Sequence, residues 1–241
     1  MYPRCSSRLG ADVLAHEGPS FYLRFGKRAF DLTAAGVGVL LLLPFLAAVG
    51  LAVRLTSRGP MLFRQIRVGQ FGKPFEMLKF RSMRVGSEKG SLLTAVGDPR
   101  ITPLGMWLRR TKVDELPQLW NVVRGDMSLV GPRPEVPLFV AQYSDRQRAV
   151  LCARPGITEP EINVYEEEVL AGHADKEQFY LNTLLPAKLE TDLAYVSDIR
   201  FSSDLAVLFQ TFKKLLLSVH EPYKGRGQST ATSLEIRSSR K

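Results

Sequence analysis

From Leu32 to Val53 the chain runs about 22 residues without a charge (LTAAGVGVLLLLPFLAAVGLAV), whereas elsewhere polar and apolar positions alternate on short periods. Roughly 20 apolar residues reach across a bilayer as a helix, so the run predicts a membrane-inserted helix. It begins too late, is too long for the apolar core of a secretory leader and lacks a cleavage site, so it is not a signal peptide. Pro44 stands near its middle. A proline inside a helix removes one hydrogen bond, crowds the preceding turn and bends the axis. The arms on either side, of about 12 and 9 residues, are about 13–18 Å long at ~1.5 Å per residue, the depth of one leaflet. Arg24, Lys27 and Arg28 precede the run, and Arg54, Arg58, Arg64 and Arg67 follow it. The positive-inside rule expects asymmetric flanks, and these are basic on both sides. A re-entrant hairpin with both flanks on the cytoplasmic face accounts for that symmetry; a kinked, spanning helix is the alternative. Lys27 and Arg28 at the entrance have the charge to hold a lipid phosphate, and Asp31 is placed to pair with Arg28 three residues earlier; interfacial anchoring is the simpler role.

The remaining pattern predicts a mixed domain. Residues 55–85 alternate apolar and polar positions (Met61, Phe63; Phe75, Met77) and read as short strands joined by a turn at Gly69–Gly72. Lys79 and Arg81 fall on one side if that segment is extended. Glu88 to Asp98 reads as a loop and Ile101 to Arg110 as a helix behind Thr102-Pro103. A turn is expected at Gly125-Asp126 and a rigid one at Gly131-Pro132-Arg133-Pro134-Glu135, where the prolines aim one arginine. Val136 to Ala153, Phe179 to Ile199 and Leu205 to Val219 read as helices, and Arg154-Pro155-Gly156 as another turn carrying an arginine. Residues 1–23 read as an N-terminal arm, 24–54 as the membrane helix, 55–220 as the catalytic domain, and 221–241 as a polar, disordered tail.

The 241 residues carry a net charge of +9, unevenly spread. Arg54 to Lys112 holds about thirteen cations against three acids, and Glu159 to Asp204 about eleven acids against three cations. A basic block selects phosphates, nucleic acid or an anionic membrane. Nucleic acid is disfavoured, because the aromatics within the block (Phe63, Phe71, Phe75, Phe80, Trp107) keep no stacking register. The two cysteines form no CxxC pair, no zinc pattern exists, and neither GxGxxG nor GxxxxGK[ST] occurs.

The candidate chemistry lies in Thr111-Lys112-Val113-Asp114-Glu115-Leu116-Pro117-Gln118, where two adjacent carboxylates follow Arg109, Arg110 and Lys112. Nearby cations favour ionised acids and also attract phosphate. An ionised carboxylate where a phosphate docks is a nucleophile or a metal ligand. Leu116, Leu119, Trp120 and Val123 fall at the spacing of one buried helix face, and Pro117 belongs in a first turn. The pair is therefore expected at a helix N-terminus, where Asp114 as a plain cap is the competing reading.

The ordered motifs resemble one family. They are Lys27-Arg28-x-x-Asp31, the apolar run broken by Pro44, Phe63-x-Gln65-x-Arg67-x-Gly69, Lys79-Phe80-Arg81-Ser82-Met83, and Asp98-x-Arg100-Ile101-Thr102-x-x-Gly105. They continue with Asp114-Glu115-Leu116-Pro117-Gln118-Leu119-x-Asn121-Val122, Gly125-x-Met127-Ser128-Leu129-Val130-Gly131-Pro132-Arg133-Pro134 and Arg154-Pro155-Gly156-Ile157-Thr158. This order resembles the bacterial sugar transferases, the monotopic phosphoglycosyl transferases that begin lipid-linked glycan assembly. The resemblance covers roughly residues 25–220 and implies the short form, without an N-terminal multi-span bundle. It implies an α+β, mostly helical fold with a re-entrant membrane helix, at the cytoplasmic face of a bacterial inner membrane. The implied reaction moves a phosphosugar from a nucleotide diphosphate sugar, usually a UDP-sugar, to a polyprenol phosphate such as undecaprenyl phosphate, releasing UMP. The resemblance makes Asp114 the nucleophile and Glu115 the Mg²⁺ ligand. Arg109 and Arg133 in the Pro132 turn are then phosphate clamps, with Lys79, Arg81, Arg154, Lys27 and Arg28 as further binding candidates. Self-association is also in keeping with that family. Three departures stand out: Lys112 where a small hydroxyl residue is frequent, Leu43 rather than Ser before Pro44, and Glu159-Pro160-Glu161-Ile162-Asn163 where Gly-Leu-Trp-Gln-Val is frequent. The last is expected to shape donor selection.

Overall fold

A computed structural model describes residues 21–87, 90, 92–95, 97–160, 169–170 and 173–220. The expected arm before residue 21, the tail from 221 and residues 161–163 of the Glu159–Asn163 loop lie outside the described residues. The apolar run lies in helix α1 (Lys27–Thr56), which continues a π-helical turn at Tyr22–Gly26 and includes Pro44. It is long and apolar enough to cross a membrane, and most of it is exposed. Its two ends are the buried parts. On one side of Pro44, Ala35 packs with Met77, Val122 and Met127. On the other side, Val49 and Val53 pack with Phe80 and Leu108. A fully buried Val or Met side chain contributes ~1.5–3 kcal/mol, so the parts of α1 on both sides of Pro44 are held to one domain.

The alternating segment folds as expected into an antiparallel hairpin, β1 (Leu62–Val68) and β2 (Pro74–Phe80), with Arg64 opposite Leu78 and Gln65 opposite Met77. Helix α2 (Pro103–Arg110) starts at Thr102, whose Oγ1 accepts the Gly105 N–H at 2.9 Å. A 3₁₀ turn (Val113–Glu115) and helix α3 (Gln118–Arg124) follow. Gly125, in the left-handed region at φ 91°, ends α3, as C-terminal glycines do. Strands β3 (Ser128–Val130) and β4 (Gly156–Thr158) pair in parallel. The expected helix from Val136 to Ala153 is instead two pieces, α4 (Pro137–Val140) and a 3₁₀ segment (Gln147–Cys152). Between them the Ser144 N–H is taken by the Gln147 side chain at 2.9 Å, the side-chain competition that breaks helices. Helix α5 (Lys176–Phe179) runs through a π turn into α6 (Leu185–Ser197), and α7 (Phe201–His220) closes the described chain.

Three basic candidates prove to be joints between α1 and the domain. Arg28 donates to the carbonyls of Val122 (2.6 Å) and Val123 (3.0 Å). It thereby caps the C-terminal end of α3, where carbonyls lack helical partners and cations are favoured. Asp31 does not pair with Arg28 as expected; its carboxylate accepts the Ser128 hydroxyl at 2.7 Å and the Leu129 N–H at 3.0 Å. Lys27 forms a buried ion pair with Asp204 at 2.6 Å and also donates to the Val130 carbonyl and the Tyr195 hydroxyl. Arg81 caps the far end of α1 through the carbonyls of Val53, Ser57 and Pro60.

Candidate active site

The hairpin, the 3₁₀ turn and the Pro132 turn converge on a cavity of about 240 Å³. Lys79, on β2, donates to Glu115 Oε1 at 2.9 Å. Arg133, aimed by the prolines around it, reaches the same oxygen at 3.2 Å. Arg109, from the last turn of α2, donates to Ser82 Oγ at 3.3 Å and lines the cavity with Lys112 and Asp114. The frame is set by Asn121, fully buried on α3. Its amide donates to the Glu76 carbonyl (2.7 Å) and accepts the Leu78 N–H (3.0 Å), fixing α3 to β2 beside Lys79.

The local chain path sets the carboxylates apart. Lys112 takes the left-handed region at φ 56°, a conformation costing an L-residue ~1–2 kcal/mol, and turns the chain from α2 into the 3₁₀ turn. Asp114 and Glu115 therefore occupy a separate turn before α3 rather than its first turn, and Pro117 is the cap residue of α3. The buried face of α3 is Gln118, Asn121 and Val122, while Trp120 is 51% exposed. This differs from the expected apolar face, because Leu119 and Val123 pack sideways among the residues around Ala35 of α1.

Both carboxylates are buried, yet they titrate in opposite senses. Glu115 is held well below the ordinary carboxylate range: burial alone would raise it, but Lys79, Arg133 and Lys112 prevail. Asp114 is pushed up, first by burial and then by Glu115, against the pull of Lys79, Lys112 and Arg109. The pull of neighbouring cations toward the ionised form thus prevails at Glu115, whereas at Asp114 burial and Glu115 outweigh it. Asp114 Oδ1 has no hydrogen-bond partner. The Lys79 ammonium is lowered, first by burial, despite Glu115.

Of the basic candidates, Lys79, Arg109 and Arg133 are brought together around the pair. Arg81 touches the cavity, but its guanidinium is spent on the α1 cap. Arg154 lies elsewhere, near Arg28 and Asp31. Lys27 and Arg28 are committed to Asp204 and α3. Sequence reasoning missed Arg67, Glu135 and Tyr180 as cavity lining, although Glu135 follows the arginine turn directly; Glu159, from the loop expected to shape donor selection, lines the cavity with them.

Fold and site together define a domain built on an apolar helix, with a cation-lined cleft enclosing a buried carboxylate. The chain belongs to the bacterial sugar transferase family, whose model matches residues 22–218. It is 36% identical to a UDP-N-acetylgalactosamine-undecaprenyl-phosphate N-acetylgalactosaminephosphotransferase of Aeromonas hydrophila, over 82% of this chain and 45% of that protein. It is 38% identical to a UDP-glucose:undecaprenyl-phosphate glucose-1-phosphate transferase of Escherichia coli (strain K12), over 79% of this chain and 40% of that protein. An exopolysaccharide production protein PSS of Rhizobium leguminosarum bv. phaseoli is 37% identical over 83% of this chain and 97% of that protein. The chain thus spans less than half the length of the first two relatives and nearly all of the third.

Proposed function

We propose that this chain transfers a phosphosugar from a UDP-sugar to a polyprenol phosphate such as undecaprenyl phosphate, releasing UMP, as a first membrane step of glycan or exopolysaccharide synthesis. The observation that carries the reading is Asp114, buried, with one oxygen unpartnered, in a cleft lined by Lys79, Arg109, Lys112 and Arg133. Ionised Asp114 attacks the sugar-bearing phosphorus, forming an aspartyl P–O bond and breaking the pyrophosphate P–O bond to UMP. The polyprenol phosphate oxygen then attacks the same phosphorus, breaking the aspartyl bond and restoring the carboxylate. Such transfer needs positioning and charge neutralisation above all. Arg133 and Arg109 supply planar donors for phosphate oxygens, and Lys79 supplies a compact charge from β2.

The donor set suits Mg²⁺. The ion needs only one or two carboxylates beside substrate phosphates and water, and Glu115, held in its charged form beside Asp114, offers one. Glu115 would hold the metal, with both of its cation contacts on Oε1. When bound, the ion neutralises charge on phosphate oxygens.

The domain sits at a membrane surface, on the cytoplasmic face of the bacterial inner membrane, with α1 as a re-entrant hairpin. The anchoring of both α1 ends to one domain supports this topology, as does the exposed apolar row Phe201, Leu205, Phe209 and Phe212 on α7. A cysteine introduced near each end of the apolar run is expected to label from one side of sealed vesicles; labelling from opposite sides means a spanning helix. For the reaction, UDP-sugar, Mg²⁺ and polyprenol phosphate are expected to release UMP, and Asp114→Asn to release none. With donor alone, intact mass is expected to show Asp114 carrying a phosphosugar. Full turnover by Asp114→Asn would refute the nucleophile assignment.

A further inference from the structure

A second wall of the cavity carries two carboxylates. Glu135 and Glu159 line it, together with Tyr180. Both carboxylates follow the parallel strands β3 and β4, which run side by side with Val130 opposite Thr158, so the chain leaves both in one direction toward the same wall. Behind them, α6 presents Lys188, which is buried. Its Nζ stands 3.7 Å from Glu135 Oε1 and 4.0 Å from Glu159 Oε2. The Tyr180 hydroxyl donates to Glu135 Oε1 at 2.5 Å, and Arg67 reaches Glu135 Oε2 at 3.4 Å while also donating to the Pro134 carbonyl. Glu135 is thus the braced floor of the wall, and Glu159 the acid set beside it through Lys188.

Ionised carboxylates only accept hydrogen bonds, and they repel phosphate. The wall of Glu135 and Glu159, whose charge Arg67 and Lys188 offset, therefore presents acceptors that suit an uncharged group rich in O–H and N–H donors, apart from the cations around Asp114. At about 240 Å³ it falls below the ~300–1,000 Å³ that encloses a drug-sized ligand, leaving space for one group beside the reacting phosphate. The sugar is that group, because it is carried on the phosphorus that Asp114 attacks. We infer that Glu159, set by Lys188 beside the Glu135–Tyr180 pair, reads the hydroxyl and acylamino donors of the sugar and determines which UDP-sugar is accepted. This rests on the donor reading given above. A site that hydrogen-bonds a substrate group discriminates strongly against analogues lacking it.

The test compares Glu159→Gln, which keeps shape and removes charge, and Glu159→Asp, which keeps charge and shortens reach, with the unaltered chain. A panel of UDP-hexoses and UDP-N-acetylhexosamines is read as kcat/KM, alongside inhibition by UMP and the unfolding temperature. In the better folded variant, the kcat/KM ratio between the two best donors is expected to change by about ten-fold or more, while inhibition by UMP stays within about two-fold. An unchanged donor ratio with normal turnover overturns this inference alone. A parallel loss for every donor and for UMP also overturns it, and assigns Glu159 to the nucleotide or to the fold. No UMP release by the unaltered chain with any donor overturns the parent reading as well.

Discussion

Neutralising the two adjacent carboxylates one at a time is expected to move stability in opposite directions. Glu115→Gln leaves Lys79 and Arg133 facing an uncharged amide in a buried site. Removing one partner of a buried ion pair costs about 3–5 kcal/mol. Asp114→Asn removes a charge that burial and Glu115 disfavour, at an oxygen without a hydrogen bond. Leaving such a group buried costs ~1–3 kcal/mol, and the amide recovers about 1 kcal/mol because it is still buried. At ~2–4 °C per kcal/mol for a chain of this size, Glu115→Gln is expected to melt at least about 6 °C lower and Asp114→Asn about 2–4 °C higher.

The pH dependence follows from the direction of each shift. Asp114 has a raised folded pKa, so below the unfolded value of ~3.9 both states hold the proton and nothing is gained. As pH rises the unfolded chain ionises first, and the folded state is penalised up to the folded pKa. The Asp114→Asn gain is therefore full above the folded pKa and fades toward pH 4. Glu115 has a depressed folded pKa, so its stabilisation is full above the unfolded value of ~4.3 and is lost only as pH falls through the folded pKa. The Glu115→Gln deficit thus stays constant between pH 5 and 8. Unfolding in detergent can be followed by the fluorescence of Trp107 and Trp120, both partly exposed. An Asp114→Asn variant that melts below the unaltered chain at pH 8 would refute the opposed assignment.

Four further outcomes are expected. Arg28→Ala loses its two carbonyl contacts on α3 and, at ~1.5–3 kcal/mol for a charged hydrogen bond, lowers the unfolding temperature; KM for the lipid acceptor stays within about two-fold, and a raised KM at unchanged stability would restore the headgroup role. Asp204→Asn strands Lys27 and costs about 3–5 kcal/mol, read by the same unfolding assay. Gly131→Ala brings a Cβ against the Arg154 carbonyl and within 2.9 Å of the Gly156 nitrogen, parting β3 from β4 and displacing Arg133, so donor KM rises about ten-fold or more. Chelation with EDTA removes UMP release, and Mg²⁺ restores it where Na⁺ does not.

Much of the fold was legible because local pattern and tertiary packing agree there. Alternation marked the β1–β2 hairpin, Thr102-Pro103 the start of α2, and Gly125 the end of α3. The cations were harder to place, since a guanidinium accepts either a phosphate oxygen or a helix-end carbonyl as partner. Arg28, Arg81 and Lys27 look like anion ligands in a basic stretch. Each is instead bound within the protein, Arg28 and Arg81 at carbonyls of helix ends and Lys27 at the buried Asp204. The face of α3 was misread for a related reason: the 3.6-residue period located apolar residues, but burial of Asn121 against β2 outweighed them and left Trp120 outward.

The divided behaviour of Asp114 and Glu115 could not be read from their neighbours, since adjacent residues share the same cations in sequence. It comes from the turn that holds them. A 3₁₀ turn has about three residues per turn, so successive side chains point about 120° apart. That rotation carries Glu115 onto Lys79 and Arg133 while leaving one Asp114 oxygen without a donor. An α-helical first turn, as the octapeptide suggested, would instead have offered Asp114 the free N–H groups of a cap. Such a cap would occupy it with hydrogen bonds. The left-handed Lys112 forecloses that outcome by starting the 3₁₀ turn before α3 begins. Opposed shifts in a neighbouring pair separate chemical roles. The left-handed Lys112 thus leaves one Asp114 oxygen without a donor and Glu115 charged against Lys79 and Arg133.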